Sequence, residues 1–166
     1  MYSRVIQACS AALLALSLTV SSAAPGVAEN LKPSASASGV IAARSAYGMA
    51  ETVERLKKDI AAKGITFFQE IDQAALAAKA GIELRPSILL VFGNPPLGTQ
   101  FITANPQAGL DWPVRLLVYR DAAGAVWTAY TDFAWIAKRH GVSDREAQFH
   151  MATEVAASIV SSVAAH

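Results

Sequence analysis

The feature of the sequence that most constrains the fold is a predicted β-hairpin late in the chain. Residues 114–119 and 125–131 are rich in β-branched and aromatic side chains, and the four residues from Asp121 to Gly124 between them form a turn. A hairpin joins antiparallel neighbours, whereas a doubly wound sheet needs helical crossovers between parallel strands. The hairpin therefore favours a two-layer α+β domain over a doubly wound one.

The remaining segments complete the order βαβαβ(α)ββαα, which predicts a mixed, mostly antiparallel sheet covered by helices. An unbroken apolar run from Ser87 to Phe92 is typical of a strand that is buried on both faces. The expected strands are 40–47, 65–71, 87–92, 114–119 and 125–131, and the expected helices are 51–63, 73–80, 97–103, 133–140 and one from 143 onward.

The last helix is expected to begin with a capping box, in which the side chains of Ser143 and Glu146 satisfy each other's backbone amides. Its apolar residues recur at helical spacing, so this stripe should lie against the sheet. The stripe consists of Phe149, Ala152, Ala156, Ile159, Val160 and Val163.

The N-terminal residues 1–28 have the pattern of a secretory signal. Arg4 supplies the positive start, an apolar run covers 8–20, and small residues offer cleavage after Ala23 or Ala28. The run is shorter than the roughly 20 apolar residues that cross a bilayer as a helix, so cleavage is favoured over an uncleaved anchor. We therefore expect a periplasmic or secreted protein with no membrane span after cleavage.

Beyond the signal, the serine- and alanine-rich residues 29–39 predict a flexible lead, and residues 40–166 predict a single domain. Hydrophobic residues make up 53% of the chain and charged residues 16%, which excludes a disordered protein. The 14 basic and 13 acidic residues leave no basic excess for binding nucleic acid. Loss of the signal removes Arg4 and Cys9, so the remaining domain is neutral and free of thiols. No cofactor is expected.

Polar side chains near predicted strand ends, together with one tryptophan, are the candidate ligand-binding residues, because loops often carry binding groups that strands hold in place. Asp72 and Asp132 also suit helix caps. Asn94 suits a turn before proline, and Arg115 would neutralise Asp111 or Asp132. The seven candidates are Asp72, Arg85, Asn94, Trp112, Arg115, Tyr130 and Asp132.

The histidines supply a further set of candidates, for a metal site. Glu146, His150 and Glu154 follow one another at helical spacing and would present a nitrogen and two carboxylates on one face. That face lies away from the apolar stripe, so a solvated polar face is the favoured interpretation. His140 falls in the last turn of its helix, where the helix dipole favours a cation.

Several short segments share an order and spacing that indicate one known family. They are ETVERLK at 51–57, EIDQAA at 70–75, AGIELRPS at 80–87, FGNP at 92–95, LDWPVRLLVY at 110–119 and YTD at 130–132. Together they resemble the prokaryotic family called domain of unknown function 302. The resemblance implies a small α+β domain that tends to form homodimers, and it implies no activity. Relatives often carry a histidine where Gln73 stands, and a glutamine cannot act as a general base.

Three functions remain open at this point. The leading one is an exported, non-catalytic, homodimeric domain that binds a small or apolar ligand or an envelope partner, because no nucleophile–base motif is present. The second is an enzyme whose acid–base site would require five side chains to converge, namely Asp72, Arg85, Arg115, Tyr130 and Asp132. The third is a metal or redox accessory protein that uses His140 and His150.

Overall fold

A computed structural model describes residues 37–165, which form a five-stranded sheet with helices against one face. The predicted signal at 1–28, most of the predicted lead at 29–39 and the terminal His166 lie outside the described residues. The strands are β1 (Val40–Arg44), β2 (Thr66–Asp72), β3 (Ser87–Gly93), β4 (Val114–Arg120) and β5 (Val126–Thr131). The helices are α1 (Met49–Ala62), α2 (Gln73–Lys79), α3 (Pro95–Ala104), α4 (Phe133–His140) and α5 (Glu146–Ser161), with a 3₁₀ helix at Pro106–Leu110.

The sheet has the order β1-β5-β4-β3-β2, and every neighbouring pair of the described strands is antiparallel. The α+β class, the order of elements and the hairpin of β4 and β5 are confirmed. The expectation of some parallel pairing is wrong. Its physical reason is that β1 and β2, which α1 connects, lie at opposite edges of the sheet and never meet.

Side chains alternate between the two faces of the sheet, and the core lies on one of them. On this covered face Leu90, Leu116 and Thr128 are almost fully buried, together with Leu56 of α1 and Ile159 of α5. The opposite face, which we call the open face, has no buried residue among these members: Val40, Ala42 and Arg44 of β1, Trp127, Ala129 and Thr131 of β5, Arg115, Leu117 and Tyr119 of β4, Ser87, Leu89 and Val91 of β3, and Gln69 and Ile71 of β2.

Strand β3 shows this one-sided burial most clearly. Leu90 and Phe92 are buried, whereas Leu89 and Val91, which point to the other face, are only partly buried. The prediction that this strand is buried on both faces is therefore wrong for the single chain. Leu89 and Val91 belong to the open face instead.

Helix caps predicted from local sequence are present. The carboxylate of Asp72 accepts from the Ala75 amide at 2.8 Å, and that of Asp132 accepts from the Ala134 amide at 3.1 Å. The Asn94 side chain caps α3. The predicted capping box of Ser143 is wrong, because α5 begins at Glu146 itself and its N-cap residue makes no side-chain cap.

The apolar stripe of α5 is confirmed, since all six of its members are buried in the core. The N-terminal side of the domain begins earlier than expected. Gly39, inside the predicted lead, has φ +75°, and an added Cβ would lie 2.3 Å from Cγ of Trp135. Its carbonyl also accepts from the Asp132 amide at 2.8 Å, so Gly39 belongs to the folded part.

Both edge strands of the sheet are interrupted. In β2 the pairing with β3 shifts between Phe67 and Gln69, which leaves Phe68 as an extra, outward residue. β1 ends at Arg44 and not at residue 47 as expected, because the chain bends there. The buried hydroxyl of Ser45 lies 2.7 Å from that of Thr52, and the Ala165 amide donates to the Arg44 carbonyl at 2.9 Å.

The turn of the β4–β5 hairpin is held by the Asp121 carboxylate. The Trp127 indole Nε1 donates to Oδ2 at 2.8 Å, and the Ala125 amide donates to Oδ1 at 2.9 Å. The indole hydrogen bond is the main reason that the pKa of Asp121 is lowered, and the positive charge of Arg44 adds to it. The ionised form of Asp121 therefore stabilises the hairpin.

We expect Trp127→Phe to raise the pKa of Asp121 towards its ordinary value. A lowered folded pKa stabilises the fold at pH above the ordinary value of 3.8, and this contribution is lost as the pH falls through the lowered pKa. The variant should therefore lose less stability on acidification than the parent protein. NMR titration of the Asp121 carboxyl carbon measures the change, and Trp135→Phe is the control. An unchanged pKa in Trp127→Phe would contradict this account of the turn.

Candidate functional site

The predicted site residues are divided between the two ends of the sheet. Asp72 and Arg85 lie at the end where β2 and β4 finish, which we call the Arg120 end. At the opposite end, which we call the Trp112 end, β4 begins and β3 and β5 finish. This end holds Asn94, Trp112, Arg115, Tyr130 and Asp132.

This division separates the residues of the predicted acid–base site. Asp72 and Arg85 are a sheet length away from the other three members. Tyr130 points into the covered face, where it is 6% exposed and burial raises its pKa, whereas Arg115 lies on the open face. The structure therefore does not bring these five side chains into one place.

The Trp112 end instead contains a buried ionic cluster around Asp111, whose side chain is 4% exposed. Arg139 Nη1 donates to Oδ2 at 3.0 Å, and Arg115 Nη2 donates to Oδ1 at 3.2 Å. The ring of His140, equally buried, places Nε2 at 2.6 Å from Oδ2. Asn105 adds a bond from its Nδ2 to the His140 carbonyl at 2.8 Å, so the cluster joins the 3₁₀ helix to the end of α4.

A carboxylate that orients a histidine is also the arrangement found in acid–base dyads. Here both oxygens of Asp111 are already engaged by arginines. In the described chain the hydrogen bonds of the His140 side chain go to Asp111 and reach no hydroxyl or thiol. The arrangement therefore supports a structural role, in which Asp111 fixes the end of α4.

Sequence reasoning found only part of this cluster. The contact of Arg115 with Asp111 follows from their spacing of four residues, and it is one of the two partners that we expected. His140 was explained by the helix dipole alone. Its partner stands 29 residues earlier, and no local signal connects the two.

A small apolar cavity adjoins the cluster and brings together two of the predicted residues, Asn94 and Trp112. Its volume is about 40 Å³, room for a group of a few atoms. The Trp112 indole lies over Gly98 so closely that an added Cβ would be 1.8 Å from Nε1. Phe68 meets the same indole edge to face, with ring centroids 6.1 Å apart. Trp112 therefore closes the cavity, and Gly98 makes that closure possible.

A larger groove of about 730 Å³ lies at the Arg120 end. The candidate Arg85 lines it, together with Arg120 from the end of β4 and Leu117 and Tyr119 of the open face. Asp72 is exposed and is used in the α2 cap, so it contributes to the helix and not to this groove.

The histidine candidates for a metal site are apart from each other and differently used. His150 and Glu154 are 74% and 68% exposed and 3.6 Å apart, as expected for a solvated face. Residues 37–165 contain no group of three or more histidine, cysteine, aspartate or glutamate side chains able to hold a metal ion. None of the helices in this range is sufficiently long and apolar to cross a membrane.

We expect Asp111→Asn to lower the free energy of unfolding by about 3 kcal/mol, since it leaves a buried site with positive partners and no negative charge. Urea denaturation measures the loss. Asp144→Asn is the matched control, because Asp144 pairs with Arg145 at an exposed position and should contribute less than about 1 kcal/mol. Equal effects of the two substitutions would show that the cluster does not stabilise the fold.

We expect Gly98→Ala to destabilise the protein by about 1–3 kcal/mol, although alanine is the better helix former. The added methyl group requires the Trp112 indole to leave its place, which changes tryptophan fluorescence. Gly109→Ala is the control, since its nearest contact, Ile102 Cδ1 at 3.8 Å, is an ordinary one. In a Trp112→Val background the penalty should disappear. A penalty that persists there would exclude the indole as its cause.

Comparisons with known proteins agree with this fold. Two proteins named "Fluoride-specific ion channel FluC 1", from Brucella suis and Brucella abortus, are each 38% identical to this chain over 105 residues. The match covers 63% of this chain but only 41% and 39% of theirs, so this chain spans about two fifths of their length.

The crystal structure of an uncharacterised conserved DUF302 protein from Bacillus stearothermophilus has a TM-score of 0.70 at 17% identity, covering 76% of this chain and 99% of that one. The family described as "Domain of unknown function DUF302" matches residues 41–165. The chain belongs to the DUF302 family.

Proposed function

We propose that this protein is an exported, non-catalytic domain that pairs with a second copy through its open face and binds a small or apolar ligand. The observation that carries the proposal is the open face itself, a five-stranded surface without one buried residue among its members. Eight of its fourteen members are apolar: Val40, Ala42, Ile71, Leu89, Val91, Leu117, Trp127 and Ala129.

The size of the open face suits an interface. Strands of five to seven residues spaced about 4.8 Å apart give a surface of roughly 400–500 Å². Two such faces together bury roughly the 1,000 Å² that a specific interface needs.

The charges on this face favour an identical partner over a charged one. Arg115 at one corner is held by Asp111, and Arg44 at the opposite corner acts on Asp121, whose pKa it lowers after the larger effect of Trp127. Neither corner therefore carries a charge that is far from an opposite one. A neutral apolar surface can meet its own copy by a twofold rotation without repulsion.

Export is supported by the signal pattern at 1–28, which indicates the periplasm or the extracellular space. A non-catalytic role is supported by the separation of the predicted acid–base residues and by the internal use of Asp111. The names of the Brucella relatives support an envelope partner as the second candidate, because a region like this one accounts for part of a protein named as an ion channel.

We expect the mature protein to sediment as a dimer and Ala129→Lys to sediment as a monomer with an unchanged circular dichroism spectrum. Ala129 lies at the middle of the open face. A lysine there can remain hydrated in the monomer, but burying its charge against an apolar partner costs free energy. Met151→Lys is the matched control, since Met151 is an exposed apolar residue of α5, 53% accessible and outside the open face. A parent protein that is monomeric at every concentration would contradict pairing and leave the envelope partner as the candidate.

A further inference from the structure

We propose that the groove at the Arg120 end binds a long-chain carboxylate, with its head near Arg85 and Arg120 and its tail against Leu117 and Tyr119, which line the same groove. This inference rests on the ligand-binding part of the proposed function and names the class of ligand. The groove measures about 730 Å³, within the range of about 300–1,000 Å³ that is usual for small-molecule sites.

Arg85 and Arg120 differ from most of the arginines of the domain. Arg55, Arg115, Arg139 and Arg145 each form an ion pair with a carboxylate. For residues 37–165, no ion pair or side-chain hydrogen bond joins Arg85 or Arg120 to another residue. Both arginines line the groove, and a guanidinium group without an ion-pair partner is a donor suited to an oxyanion, which it can bind through paired hydrogen bonds.

The backbone holds these two residues in fixed relation. The Arg120 amide donates to the carbonyl of Pro86, the residue after Arg85, at 3.0 Å. The hydroxyl of Ser87, which follows Pro86, donates to Oε1 of Gln73 at 2.7 Å. The segment that carries Arg85 is therefore attached both to β4 and to the start of α2, so the groove exists before any ligand arrives.

The rest of the groove determines the type of anion. Glu83 also lines it, so the two arginines and this carboxylate leave a net charge of +1, which favours a monoanion over a doubly charged phosphate. Leu84 and Pro86 form one wall, and Leu117 and Tyr119 continue onto the open face.

The test is calorimetric titration of the mature protein with sodium decanoate below its micelle concentration. We expect saturable binding that weakens about tenfold in Arg85→Gln and in Arg120→Gln, the loss expected for one charge-assisted hydrogen bond. Arg55→Gln, at an ion pair on α1, should bind like the parent protein. Equal affinity in all three variants would overturn the site.

Three further probes identify the chemistry. Decanol lacks the charge and should bind at least about tenfold more weakly than decanoate. Decyl phosphate should not bind more tightly, and tighter binding would overturn the choice of a carboxylate. Inorganic phosphate alone should show no heat of binding. Decanoate and decanol binding equally well would show that the arginines play no part.

Titration of Ala129→Lys separates this inference from pairing. One chain lines the whole groove and Ala129 is not part of that lining, so a monomeric Ala129→Lys should still bind decanoate like the parent protein. A dimer that does not bind decanoate overturns the ligand and leaves pairing intact. A monomeric parent protein that binds decanoate overturns pairing and leaves the ligand intact.

Discussion

The structure depends on the burial of one sheet face only. Helices supply the side chains that cover Leu90, Leu116 and Thr128, and this burial sets the register of every strand, because a shift by one residue would move each apolar set to the opposite side. The open face has nearly as many apolar residues as the covered one. Its properties follow from the topology: the helices lie against the same side, and α2, which buries none of its residues, covers little.

The Asp111 cluster solves a local problem that this arrangement creates. The chain leaves α3 through a short 3₁₀ helix and must return to start β4 below the end of α4. A single carboxylate receives bonds from β4 through Arg115 and from α4 through Arg139 and His140. Because Asp111 is buried and these partners are cationic or polar, the same group that positions the elements also neutralises their charge.

Local chemistry was predictable from the sequence, and contacts across the fold were not. Asp72 and Asp132 cap their helices because an aspartate two or three residues before a free amide needs no distant partner. The bond between Asp111 and His140 depends on how α4 lies over the 3₁₀ helix, which no spacing reveals. The apolar run of β3 indicates that both faces avoid water, but it cannot distinguish a covering helix from a second molecule.

The interruptions of the two edge strands limit how copies of this domain can associate. The extra residue Phe68 disrupts the hydrogen-bond ladder of β2, and the Ala165 amide donates to the carbonyl of Arg44, the last residue of β1. Addition of a further strand is therefore hindered at the bulge of β2 and at the end of β1. In the pairing that we propose, a twofold axis would use the open face of each copy, so the assembly would close at two copies instead of extending into a filament.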